Sequence, residues 1–199
     1  MEAALRVVRY IKGTTGLGLF MPSNNVSEFV AYCDSNWGAC IESTKSVTGD
    51  IVKLGNALVS WKAKKQNTMS RSSAEAEFRS MATTVAEIIW LKGLFTELGV
   101  EVKLPVQLFC DNKVAIQIES HPIFHERTKY FDIDCHFVRE KIMDGLIQTQ
   151  HIGTKEQQAD ILTKGLCKPQ HELLIDKFGM KNIFFNSQLD GECSDHVNK

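Results

Sequence analysis

Apolar residues change their spacing along this chain, and the changes mark out the elements. From Ser73 to Leu98 they recur at helical intervals: Phe78, Met81, Ala82, Val85, Ile88, Ile89, Trp90, Leu94, Phe95 and Leu98. Gly99 follows as a stop, so one long helix is predicted. Ahead of it the rhythm is that of strands. "EFVAYC" (28–33), "SVTGDIVKLG" (46–55) and "ALVSWKAKK" (57–65) predict an antiparallel meander, with a tight turn at Gly55-Asn56. After the long helix come "VQLFC" (106–110) as a strand led by Pro105 and "KVAIQIE" (113–119) as a short helix. "YFDIDCHFVREKIMDG" (130–145) is a further helix, with Phe131, Cys135, Val138 and Ile142 on one side and Gly145 as its stop. "LIQTQHI" (146–152) alternates as a strand, and "KEQQADILTKGL" (155–166) reads as a helix. Near the start, "ALRVVRYIKG" (3–12) forms a short amphipathic helix that packs poorly alone. The order β-β-β-α-β-α-α-β-α predicts an α/β fold with a mixed sheet flanked by helices. The polar stretch from about Ser187 is expected to fray.

Composition adds mainly exclusions. The 199 residues suit one domain with short extensions. A formal net charge of −1 provides no global basic field, so any nucleic-acid contact must come from a local patch. None of the six cysteines forms a C-x-x-C pair or has zinc-finger spacing. Cys33 and Cys110 lie in apolar runs and are expected to be buried free thiols. Arg6, Arg9 and Lys12 interrupt the early apolar stretch, which argues against a signal peptide, and no apolar run is long enough to span a bilayer. The expectation is a reduced, intracellular, soluble protein without a membrane partner.

Four carboxylates stand where chemistry could gather. Asp34 and Asp111 each follow an apolar strand, and strand ends of α/β sheets form the usual ligand crevice. Two such aspartates on neighbouring strands could hold Mg²⁺, which takes oxygen ligands from one or two carboxylates, water and phosphate. On the long helix, Ser72-x-x-Glu75 fits a capping box and gives Glu75 a structural task. Glu77 has no such task and flanks the buried Phe78. Asp160 is the fourth, near the start of the last helix. Taken singly, each is also an ordinary turn or cap residue.

The flanks carry a resemblance. "AYCDSNWG", "STKSVTGDIVKLGNALVSWKAKKQNTMSRSSAEAEFRSMA", "LFCDNKVAIQI", "HERTKYFDIDCHFVREKI" and "TKEQQADILTKGL" resemble the ribonuclease H domain of Ty1/copia-type retrotransposon Pol polyproteins. The blocks run in order from about Ser27 to Leu166. The resemblance implies a ribonuclease H-like five-stranded mixed sheet, three antiparallel strands followed by parallel additions. It divides the chain into 1–26, a remnant of the linker from a reverse transcriptase; 27–166, the ribonuclease H-like domain; and 167–199, a C-terminal extension. A "YVDD"-type polymerase motif is absent from the chain.

The resemblance also implies a catalytic and metal-binding set of Asp34, Glu77, Asp111 and Asp160 holding two Mg²⁺, with Mn²⁺ as a substitute. Two ions about 3.5–4 Å apart clamp a scissile phosphate. Asp34 would bridge them, Glu77 and Asp111 would complete one site, and Asp160 the other. The expected activity is endonucleolytic hydrolysis of the RNA strand of RNA–DNA hybrids during reverse transcription, leaving 5′-phosphates. The expected location is the cytoplasm, including virus-like particles, or the nucleus. The family's loop histidine has no counterpart in the short "HIGTKEQQAD"; His151 lies at a strand end, and His136 reads as a helix-surface residue.

Substrate contacts are expected from Ser35, Asn36 and Asn112 beside the aspartates, and from Ser72 and Ser73 against the hybrid's minor groove, where hydroxyl contacts to 2′-OH groups distinguish RNA from DNA. Lys62, Lys64, Lys65 and Arg71 fall within ten residues free of acids and form a candidate phosphate track, with Arg127 and Lys129 as additions. Trp61 is expected in the core. The partners implied are the hybrid and a reverse transcriptase domain supplied elsewhere. A different class of reading stays open: a catalytically inactive or domesticated remnant that at most binds nucleic acid. An integrase or transposase core shares the carboxylate logic but fits the "AEAEF" and "AD" blocks poorly.

Overall fold

The computed structural model describes residues 2–22, 28–120, 129–182 and 184. α1 spans Glu2–Gly13 and β1 Leu17–Leu19. The meander follows as β2 (Glu28–Asn36), β3 (Val47–Leu54) and β4 (Ala57–Lys65). Next come α2 (Ser73–Glu97), β5 (Lys103–Cys110), α3 (Lys113–Ser120), α4 (Lys129–Met143) and β6 (Ile147–His151). A 3₁₀ turn (Thr154–Glu156), α5 (Asp160–Thr163), α6 (Lys168–Lys177) and β7 (Met180–Asn182) complete the described chain. The tail from about Ser187 and Arg127 lie outside the described residues.

Five strands form one mixed sheet in the order β4-β3-β2-β5-β6. The pairs β2–β3 and β3–β4 are antiparallel, whereas β2–β5 and β5–β6 are parallel. The expected α/β architecture is therefore present. Leu54 pairs with Ala57 across a two-residue turn in which Gly55 takes φ +57°, a region that disfavours a side chain.

Side-chain alternation sends successive strand residues to opposite faces of the sheet, each with its own core. Phe29, Ala31 and Cys33 of β2, Val52 of β3, and Val106, Leu108 and Cys110 of β5 meet Phe78, Met81, Val85 and Ile88 of α2 in the larger one, which α3 and α4 extend through Ala115, Cys135 and Val138. Cys33 and Cys110 are buried free thiols, as expected. The opposite face is thinner: Ile51, Leu58, Ala159 and Phe178, with Tyr32, Ile161, Leu162 and Met180 packed alongside.

Several local expectations are corrected. Trp61 is exposed rather than in the core: on edge strand β4 it pairs with Ile51 and so faces the thinner side of the sheet, where the cluster of Ile51, Leu58, Ala159 and Phe178 does not include it. Trp90 is also exposed; it follows Ile89, and one residue rotates about 100° around a helix. The expected helix over 155–166 is a 3₁₀ turn, a break and the four-residue α5. In keeping with the expectation that α1 packs poorly, its apolar residues Leu5, Val8 and Ile11 are exposed.

The segments flanking 27–166 meet each other. β1 pairs antiparallel with β7 through Leu17↔Asn182, Gly18↔Lys181 and Leu19↔Met180. α6 is pinned to the thin face by Phe178 at its C-cap. Lys53, itself buried on β3, donates to the Lys177 carbonyl at 2.6 Å and so caps the C-terminus of α6.

Candidate active site

The sheet ends in a cluster of acids drawn from both of its faces. Alternation turns Cys33 toward α2 and the next residue, Asp34, toward α5. Asp34 is fully buried; Oδ2 accepts from the Thr163 hydroxyl, and Oδ1 accepts from Lys164 Nζ at 3.1 Å. Glu77 approaches from the α2 side. Ser72 caps that helix by accepting from the Glu75 N–H at 3.1 Å. Glu75 reaches back to the N–H of Arg71 at 2.8 Å, one residue earlier than the capping box predicts, and pairs with Arg79 at 2.6 Å. One turn beyond Glu77, Ser80 donates to the Asp34 carbonyl at 2.8 Å, which locks α2 onto the end of β2.

Asp111 lies immediately past β5, and Thr154 donates to its Oδ2 at 3.4 Å. Asp160 opens α5, whose position is set by contacts with the sheet. The buried Gln157 side chain donates to the Cys33 carbonyl at 2.9 Å and accepts from the Ala159 N–H at 3.2 Å. Asn36 donates to the Thr163 carbonyl at 3.0 Å. Below α5 lies Gly49, the register partner of Asp34. A Cβ there would stand 2.7 Å from Thr163 Cγ2, 3.0 Å from Leu162 Cβ and 3.1 Å from the Ala159 carbonyl oxygen. Only glycine lets this helix come so close.

All four predicted carboxylates thus converge. Oxygens of Asp34, Asp111 and Asp160 lie within 4.8 Å of one another, as do donor atoms of Glu77, Cys110 and Asp111. Asp111 is common to both groups. Burial pushes the Glu77 carboxyl up to about 10; the thiol of Cys110 and the charges of Asp34 and Asp111 add to this, against a backbone hydrogen bond from Ser35. Burial first, and then the Asp34 charge, also raises Asp111. Burial raises Asp160, opposed by its hydrogen bond to Lys164. Burial alone would lower Lys164, but the bond to Asp160 and the charges of Asp34 and Asp160 hold its ammonium well above the usual range. Glu77 Oε2 is buried without a hydrogen-bond partner. Crowded, desolvated carboxylates with an orphan oxygen suit a hard divalent cation, which takes oxygen ligands.

The predicted substrate contacts divide. Ser35 is buried, 3.4 Å from Gln66 Nε2, and Asn36 is committed to α5. Asn112 caps α3, its Oδ1 accepting from the N–H groups of Val114 at 3.0 Å and Ala115 at 3.1 Å. Ser72 is occupied as a cap, whereas Ser73 and Arg71 are exposed. Lys62, Lys64 and Lys65 line one wall of an open groove of about 530 Å³; Arg79 and Thr83 of α2 form its floor, and Ile133 and Phe137 of α4 the far wall. His136 and His151 are exposed. Sequence reading missed Lys164, Thr163, Gln157 and Gly49. The Asp160/Lys164 spacing of four was the available signal.

No family model matches the chain. It is 37% identical over 183 residues, 92% of its length, to the "Retrovirus-related Pol polyprotein from transposon RE1" of Arabidopsis thaliana. It is 38% identical over 182 residues to the RE2 polyprotein of the same plant, again over 92% of the chain, and 34% identical over 180 residues, 90% of the chain, to the TNT 1-94 polyprotein of Nicotiana tabacum. This chain is a homologue of one segment of copia-type Pol polyproteins. It spans 12%, 12% and 13% of those three relatives. Among solved structures, LC11 RNase H1, isolated from compost, superposes with a TM-score of 0.51 at 13% identity, covering 76% of this chain and 98% of that one. The N-terminal RNase H domain of a Mycobacterium tuberculosis protein superposes with a TM-score of 0.51 at 10% identity, covering 75% and 97%. The fold of this copia Pol homologue is ribonuclease H-like. Among the described residues, no helix is long and apolar enough to cross a membrane.

Proposed function

We propose that this copia Pol homologue is a divalent-metal-dependent endonuclease that cuts the RNA strand of RNA–DNA hybrids. The observation that carries the proposal is the convergence of Asp34, Glu77, Asp111 and Asp160 at one end of a ribonuclease H-like sheet. Asp34, Asp111 and Asp160 would hold one Mg²⁺, and Glu77 with Asp111 the other, so that Asp111 would be the shared ligand in place of Asp34, the bridge that the resemblance implies; Mn²⁺ would fit the same residues. Bound there, the two ions would supply an activated water and stabilisation of the leaving 3′-oxygen. The chain's own part is positional. β2 and β5 fix Asp34 and Asp111, the Ser80 bond holds Glu77 beside them, and Gln157 and Gly49 deliver Asp160. The cluster's negative charge leaves phosphate binding to the groove of Lys62, Lys64, Lys65 and Arg79, with Arg71 and Ser73 exposed near the α2 N-terminus. A reverse transcriptase domain is the proposed partner.

The test is cleavage of a labelled hybrid by the purified chain with and without Mg²⁺. Asp34→Asn and Glu77→Gln are each expected to reduce the rate by about a hundredfold or more while circular dichroism stays native. Full activity in either variant overturns the assignment. Failure of the parent to cut, with hybrid binding retained, would point instead to a binding remnant.

A further inference from the structure

The acid cluster already contains a cation of the protein's own. Lys164 Nζ stands 2.7 Å from Asp160 Oδ1, 3.1 Å from Asp34 Oδ1 and 4.0 Å from Asp111 Oδ2. These are the three aspartates whose oxygens lie within 4.8 Å of one another. The ammonium thus draws on the same three carboxylates that a divalent ion would take. A bound Mg²⁺ requires oxygens at about 2.0–2.1 Å, so an ammonium seated among the same three carboxylates competes for their charge and repels the incoming ion.

From this geometry we infer that Lys164 is a built-in competitor of the metal: it occupies the Asp34/Asp111/Asp160 seat, must leave before a divalent ion binds, and sets the ion concentration at which the seat fills. The inference rests on the metal-dependent reading above. The placement of the lysine allows such movement. Its side chain keeps 32% exposure although Asp34 and Asp160 are buried. Its backbone is the extended C-cap of α5, with its N–H bonded to the Asp160 carbonyl, so the flexible stem can swing outward without unwinding the helix. The seat then alternates between two cations. With the ammonium in, three close carboxylates are held against mutual repulsion. With it out, the charge stays on its tether at the mouth of the site, where a phosphate would arrive. Lys164 acts on the reaction through the metal ligands and is a positioning residue.

The experiment compares the full chain with Lys164→Met by thermal unfolding in chelator and across a Mg²⁺ titration, with calorimetric Mg²⁺ titration as a second readout. Lys164→Met is expected to melt lower than the parent in chelator, to gain more from Mg²⁺, and to reach its midpoint at about tenfold lower Mg²⁺. Lys164→Arg, which keeps the charge, should leave the midpoint near that of the parent. If Lys164→Met does not fold, Lys164→Gln takes its place. Equal midpoints in the parent and the neutral variant overturn the inference and make Lys164 a static ion-pair partner. Absence of any Mg²⁺ response in the parent, the neutral variant and Asp34→Asn alike overturns the metal reading as well, which separates the two failures.

Discussion

The two faces of the sheet differ in depth, and the site borrows something different from each. On the α2 side a thick core runs from Phe29 and Val106 through Met81, Val85 and Ile88 to Val138. On the other side Ile51, Leu58, Ala159 and Phe178 support a four-residue helix and the start of the C-terminal extension. The thick face contributes Glu77 through one long helix. The thin face contributes Asp160, Thr163 and Lys164 through a helix too short to hold itself. Its placement depends on single contacts with Gly49, Gln157 and Asn36. Stability and chemistry should therefore separate by face.

Substitutions can break that separation. Ile88→Ala, in the thick core, should cost about 3 kcal/mol in denaturant unfolding, yet leave the cleavage rate per folded molecule within about twofold. Gly49→Ala, under α5, should cost less, about 2 kcal/mol, but lower cleavage at least tenfold by lifting Asp160 and Thr163 off the sheet. If both variants lose activity only in proportion to unfolding, the two faces do not divide the labour.

Asp50 sharpens the comparison. It faces α2, is 1% exposed, and neither carboxylate oxygen has a hydrogen-bond partner. Burial pushes it up to about 6; the Glu87 charge adds to this, while Lys62 opposes it. A carboxyl raised in the folded state favours folding at low pH and loses that contribution as pH rises from about 4 through 6. Asp50→Asn should flatten this part of the stability–pH curve and gain about 1–2 kcal/mol at pH 7.5, read by urea unfolding. An unchanged curve would mean that Asp50 finds compensation in solution. The smallest effect is expected at Lys53→Met, which uncaps α6 on the thin face: about 1 kcal/mol, with hydrogen exchange rising first in residues 168–182.

The same division explains what could be read from the sequence. β2, β3, β4 and α2 were legible because period and punctuation agree there: Gly55 turns the hairpin, Ser72 opens α2 and Gly99 follows its end at φ +78°. Asp34, Glu77 and Asp111 could be located because each is tied to such an element. The 155–166 stretch misled because its helical pattern is overridden from outside. Gln157 spends its amide on the Cys33 carbonyl, 124 residues away, and diverts the local backbone. Lys164 had a visible partner in Asp160, but its approach to Asp34 and Asp111 depends on strands meeting in space. α6 and β7 were missed because "KPQHELLIDK" buries only Leu174 and so shows little apolar periodicity.

The β1–β7 pair has a mechanical consequence. The chain enters at Leu17 and leaves at Asn182, and these residues are register partners at one end of a three-residue ribbon. Pulling the two exits apart loads the ribbon's hydrogen bonds one at a time, as in peeling, rather than together in shear. The ribbon should open at low force, while Lys53 and Phe178 still hold α6 to the sheet. It would act as a fuse, yielding to tension from flanking chain before the strain reaches Asp34 and its neighbours.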